Sequence, residues 1–138
     1  MTALDFSSFR DALAQLREGY LRAVKAPGDD LLRDGVIQRF EYSYELAHKM
    51  LKRWLERTEA ASEGVDLLSY NGLIRLGSER GLLRAGLPEW DRFRAARNKT
   101  SHVYDGTVAR AVFEVVESFL QEASHLFQQL EQRNRAGD

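Results

Sequence analysis

Apolar positions along this chain recur at intervals of three and four, and no convincing stretch alternates with period two. That periodicity predicts helices almost throughout. Asp5 can cap a first helix whose apolar side is Phe6, Phe9, Leu13, Leu16, Tyr20 and Val24. Ala26-Pro27-Gly28 stops it, because proline and glycine both oppose continuation. Asp29 or Asp30 then opens a long second helix to about Thr58, with the stripe Leu32, Val36, Ile37, Phe40, Tyr44, Leu51, Trp54 and Leu55. Glu41, Glu45, Lys49 and Arg53 are spaced as a solvated i,i+4 ladder on that helix. Glu59 to Asp66 reads as a loop. A shorter third helix is expected from about Ser69 to Leu83, interrupted near Gly72 or Gly77. Pro88 suits the first turn of a fourth helix, which buries Trp90, Phe93 and Ala96. Asp105-Gly106 reads as a turn, and Thr107 as the cap of a fifth helix carrying Val108 to Leu130. The polar tail, 131–138, is expected to fray. The expectation is an all-α fold, an antiparallel up-and-down bundle of four to five helices forming one domain over residues 1–138.

Composition narrows the function. Apolar residues make up 43% and charged residues 30%, as expected of a globular protein with its own core. There is no cysteine, hence no disulfide or thiolate chemistry, and nothing approaches a membrane-spanning apolar run. Met1 to Phe9 lacks the apolar run of a signal peptide, so a cytoplasmic location is expected. A net charge of −1 argues against coating nucleic acid by bulk attraction. Charge is unevenly spread, however. From Arg75 to Lys99 there are seven basic residues against three acidic ones, a local excess suited to phosphate. The three histidines, His48, His102 and His125, have no metal-ligand spacing among themselves or with acids, and no glycine-rich phosphate loop is present. Neither metal nor cofactor is expected. His48 and His125 read most simply as packing or surface residues.

The basic stretch ends in Arg97-Asn98-Lys99-Thr100-Ser101-His102-Val103-Tyr104. A guanidinium can clamp a phosphate bidentately, and an imidazole can move protons near neutral pH. Ser101 and His102, being adjacent, diverge by about 100° on a helix, which disfavours a serine nucleophile activated by that histidine. Seven helical positions put Arg97 and Tyr104 within about 20° of each other, whereas five leave Arg97 and His102 about 140° apart. Either the helix ends or distorts near Thr100, or a second chain completes the site.

Arg97-Asn98-x3-His102-x-Tyr104 resembles the Arg-polar-x3-His signature of HEPN domains. The string RNKTSHVYD resembles in particular the HEPN partner of minimal nucleotidyltransferases, also called nucleotidyltransferase substrate-binding proteins. Phe40 to Lys52, FEYSYELAHKMLK, is similar to that family's second helix, with His48 where a tryptophan is usual. The resemblance runs from Leu32 to Leu130. It implies a homodimeric all-α bundle acting as a metal-independent ribonuclease, the toxin of a type VII-like toxin–antitoxin pair. It also implies a cognate nucleotidyltransferase antitoxin that binds the toxin and adenylylates the motif tyrosine, here Tyr104.

On that implication, His102 is the general base or acid for attack of an RNA 2′-hydroxyl on its own phosphate, and Arg97 stabilises the charged transition state. Asn98 would orient His102 or the phosphate, while Arg94 and Lys99 contribute electrostatic attraction to RNA. The alternative is a non-catalytic subunit that presents nucleotide or substrate to its nucleotidyltransferase. A third is a structural bundle bearing the motif by chance.

Overall fold

The computed structural model describes residues 3–136, and across them the chain is all-helical, without strands. The helices are α1 (Ser7–Val24), α2 (Asp30–Thr58), α3 (Ser62–Asp66), α4 (Tyr70–Glu79), α5 (Leu87–Asn98), α6 (Gly106–Phe113) and α7 (Val116–Ala136). A 3₁₀ turn, Thr100–His102, lies between α5 and α6.

Helix starts follow local capping chemistry. The Asp29 carboxylate accepts the Leu32 N–H at 2.9 Å and sets the start of α2, while Ser69 Oγ accepts the Gly72 N–H at 3.1 Å and starts α4. The Asp5 carboxylate takes the Ser7 N–H at 2.8 Å, one position outside the formal cap of α1. At α5, Pro88 occupies the first turn and Glu89 reaches back to the Gly86 N–H at 3.1 Å.

Several expectations need correction. The segment 59–66 is not all loop: α3 forms within it because Val65 is buried against the core and Asp66 pairs with Lys52 of α2 at 3.5 Å. Neither Gly72 nor Gly77 interrupts α4, which instead ends at Glu79 before Gly81, whose φ of +74° terminates the helix. Asp105, not Thr107, caps α6, accepting the Thr107 N–H at 2.9 Å. The expected fifth helix is two: the Val115 N–H turns to Val112 O, three residues back, and separates α6 from α7. The tail is helical to Ala136 rather than frayed over its described part, with Gly137 and Asp138 outside the described residues. Asn134 brackets both backbone groups of Leu4, donating to its O at 2.7 Å, and Arg133 donates to Arg80 O at 2.7 Å.

The long helices pack antiparallel. Ser43 of α2 meets Ala12 O of α1, Arg39 meets Gln15 O, and Val36 lies against Gly19, so partners descend along one helix as they ascend the other. Helix α7 runs back along α1 in the same sense, through Phe9–Phe127, Arg17–Ser124 and Tyr20–Glu117. Phe119 of α7 sits at the centre, edge-on to Phe40 at 5.1 Å, Phe93 at 5.5 Å and Trp90 at 6.5 Å. Each fully buried side chain of this size contributes about 1.5–3 kcal/mol, and the cluster ties α2, α5 and α7 to one another. Helix α5, which carries Arg92, Arg94 and Arg97 of the basic stretch, is thereby fixed against α2.

Candidate functional site

The motif straddles a change of helix type. Asn98, Thr100 and Ser101 are weak helix formers, since their side chains compete for backbone groups. The Thr100 hydroxyl donates to Arg97 O at 2.8 Å, and backbone bonds then reach three residues back: Lys99 N–H to Ala96 O, His102 N–H to Lys99 O and Asp105 N–H to His102 O. Of the two geometries open to the sequence, the first is realised: α5 ends at Asn98. The ideal-helix expectation that Tyr104 shares a side with Arg97 therefore does not hold. The tighter turn instead brings Tyr104 beside His102, with ring centroids 6.2 Å apart and planes at 71°. Both rings are exposed, Tyr104 to 86%. Lys99 is exposed as well.

Arg97 points elsewhere. Its Nε donates to Glu45 Oε1 of α2 at 3.0 Å, and a second guanidinium nitrogen closes on the same oxygen. The hydrogen bond to Glu45 raises the Arg97 pKa further above its ordinary value, so the guanidinium is permanently charged. The expected ladder is corrected by this pairing: Glu45 meets Arg97 rather than Lys49, and among the described residues none of Glu41, Glu45, Lys49 and Arg53 pairs within the ladder. Among the described residues no hydrogen bond joins Arg97 to His102 within one chain.

Arg97 and Asn98 help line a groove of ≈ 560 Å³ between α2, α4 and α5. Tyr44, Glu45, His48 and Lys52 form its α2 wall, Arg94 projects from α5, and Tyr70 begins the α4 side. His102 and Tyr104 lie outside it. Its base is a chain of phenols: Tyr44 and Tyr70 share a hydrogen bond at 2.9 Å, and the Tyr70 hydroxyl donates to Trp90 O at 3.1 Å. Burial raises both phenols above the ordinary tyrosine value, so neither ionises near neutral pH. The Arg94 guanidinium lies 4.4 Å from the Tyr70 ring centroid, and the His48 ring stacks on Tyr70 at 5.8 Å with planes 17° apart. Burial, then the charges of Lys52 and Arg94, hold His48 below the usual histidine range. Among the described residues no three His, Asp or Glu side chains converge as a metal-holding group.

Sequence reasoning placed Arg94, Arg97, Asn98, Lys99, His102 and Tyr104 near one another along the chain. The structure separates them into a groove set (Arg94, Arg97, Asn98) and an exposed pair (His102, Tyr104). Glu45, His48 and Tyr70 were missed as partners. The sequence signal for His48 lay in the four-residue steps Tyr44, His48 and Lys52 along α2.

Residues 4–132 match the family described as "Nucleotidyltransferase substrate binding protein like". A Haemophilus influenzae protein named "Probable ribonuclease HepT" is 38% identical over 106 residues, spanning 77% of this chain and 72% of that protein. A solved Haemophilus influenzae structure, described as revealing the fold of a substrate binding domain of a nucleotidyltransferase, superposes with a TM-score of 0.86. It is 29% identical and covers 92% of this chain and 99% of its own. A crystal structure from Thermus thermophilus has a TM-score of 0.68 at 31% identity, covering 88% of this chain and 98% of its own.

Proposed function

The chain belongs to the nucleotidyltransferase substrate-binding family, and from that premise we propose that it is a metal-independent endoribonuclease toxin held in check by a cognate nucleotidyltransferase. The observation that carries this reading is the break after Asn98. It leaves a charged arginine lining the groove and an imidazole on the exposed turn that follows, with neither buried in the core. In the reaction, His102 takes the proton of an RNA 2′-hydroxyl as that oxygen attacks the adjacent phosphorus. Arg97 stabilises the extra charge of the phosphorane-like transition state, the P–O5′ bond breaks, and the 5′-oxygen leaves with a proton. Asn98 orients the phosphate, while Arg94 and Lys99 draw RNA in. Arg97 and His102 are not joined within a chain, so a two-fold homodimer would complete the site by facing each arginine with the partner's histidine and dividing base and acid roles.

Tyr104 is the proposed control point. Its exposed hydroxyl would attack the α-phosphorus of ATP on the antitoxin, with pyrophosphate leaving, and the attached AMP would set a negative charge and a bulky base beside His102. Expression of Arg97→Ala or His102→Ala, without the antitoxin, is expected to abolish growth inhibition and RNA cleavage with the helical fold retained. Full toxicity from a folded His102→Ala variant would refute the catalytic assignment. A non-catalytic subunit that presents substrate to the nucleotidyltransferase is favoured by the description of the relative with TM-score 0.86. Intact RNA after incubation with purified dimeric wild type would decide for it.

A further inference from the structure

The groove between α2, α4 and α5 holds side chains that the cleavage step does not use: His48, Lys52 and Tyr70. We propose that this groove is a subsite for a single unpaired ribonucleotide of the substrate, its base laid on the His48 ring and its phosphate held by Arg94. The proposal rests on the ribonuclease reading, because Arg97 and Asn98 of the motif line the groove.

Size, charge and stacking agree. At ≈ 560 Å³ the groove falls in the range of small-molecule sites, and it takes one nucleotide and no duplex. Three cations, Lys52, Arg94 and Arg97, line it against one carboxylate, Glu45. Two of them are occupied, Arg97 by Glu45 and Lys52 by Asp66 at 3.5 Å. Among the described residues Arg94 makes no ion pair; its guanidinium is held by the Tyr70 ring face, which leaves the in-plane N–H donors for a phosphate. The other half of the recognition is aromatic. Tyr70 cannot turn, since its hydroxyl is tied to Tyr44 and to Trp90 O, and His48 stacks almost parallel to it. His48 is half-buried and lines the groove. An uncharged imidazole there offers a π surface plus one donor and one acceptor to a base, as aromatic platforms do in single-strand binding proteins.

The test is binding of a 2′-O-methyl, uncleavable single-stranded pentanucleotide and of the matching duplex, followed by fluorescence anisotropy. Wild type is compared with His48→Ala, His48→Phe and Arg94→Gln. The expected result is a roughly tenfold weaker Kd for the single strand in His48→Ala, recovery in His48→Phe, and no change for the duplex. Arg94→Gln weakens binding and lowers the salt dependence by about one phosphate contact. Binding of the single strand by His48→Ala within twofold of wild type overturns the proposal, as does no binding by wild type. An RNA-cleavage assay on wild type and His48→Ala separates the two readings. His48-dependent binding in a wild type that cuts no RNA keeps the subsite and removes the ribonuclease. Cleavage by wild type with KM unchanged in His48→Ala keeps the ribonuclease and removes the subsite.

Discussion

Glu122 of α7 is 5% exposed and receives two backbone amides from the segment ahead of α5, Arg84 N–H at 2.9 Å and Ala85 N–H at 2.5 Å. A hydrogen bond to a charged acceptor contributes about 1.5–3 kcal/mol, and its loss leaves a desolvated donor behind. Glu122→Ala removes two such bonds, partly offset by no longer burying a carboxylate. The net loss should be about 3 kcal/mol, roughly 10 °C in Tm for a domain of this size. Against a total stability on the order of 5–15 kcal/mol, that is a large fraction. Glu122→Gln keeps one acceptor and turns an NH2 toward the other amide, so it should lose about half as much or more. Urea denaturation gives the stabilities, and hydrogen exchange at the Arg84 and Ala85 amides reports the contact directly. A Glu122→Ala protein within about 1 kcal/mol of wild type, with both amides still protected, would refute the reasoning.

The same measurements extend to two other positions. A Cβ at Gly77 would come within 3.0 Å of Leu83 Cδ1 and 3.2 Å of Leu51 Cδ1, so Gly77→Ala should destabilise by about 1–3 kcal/mol through overpacking, despite alanine's better helix propensity; an equal or higher urea midpoint would contradict this. The folded-state pKa of His48 lies below its reference 6.5, so the unfolded chain takes up that proton first. Stability from this residue is therefore fully present above 6.5 and lost as pH falls from there toward the folded value. His48→Phe should flatten the fall in urea midpoint over that window, and an unchanged slope would count against the assignment.

The all-helical class and the start of α2 were legible because they rest on local chemistry: three-and-four spacing, Pro27-Gly28, and a capping aspartate. The end of α5 within the motif was legible as one of two geometric options. What the sequence hid is long-range. Glu45 sits at ladder spacing to Lys49, yet its partner Arg97 is 52 residues away, and helical spacing ranks only partners on the same helix. Helix α3 depends on Val65 reaching the core and Asp66 reaching Lys52, contacts that a five-residue polar-looking stretch does not announce. The α6–α7 joint, Glu114 and Val115, carries neither glycine nor proline, so nothing in its residue types announces a break. His48 read as packing because its groove is built from α4 and α5, whose approach to α2 no spacing encodes.

The 3₁₀ turn has a consequence for timing. A phenol standing clear of the fold at 86% exposure is presented on the finished molecule. Were Tyr104 modified as proposed, the enzyme would meet it by diffusion, without opening a helix or competing with the core. A transferase acting there would silence copies already folded and in circulation, at the speed of encounter rather than of synthesis and decay, and a newly made chain would become addressable as soon as α5 had docked.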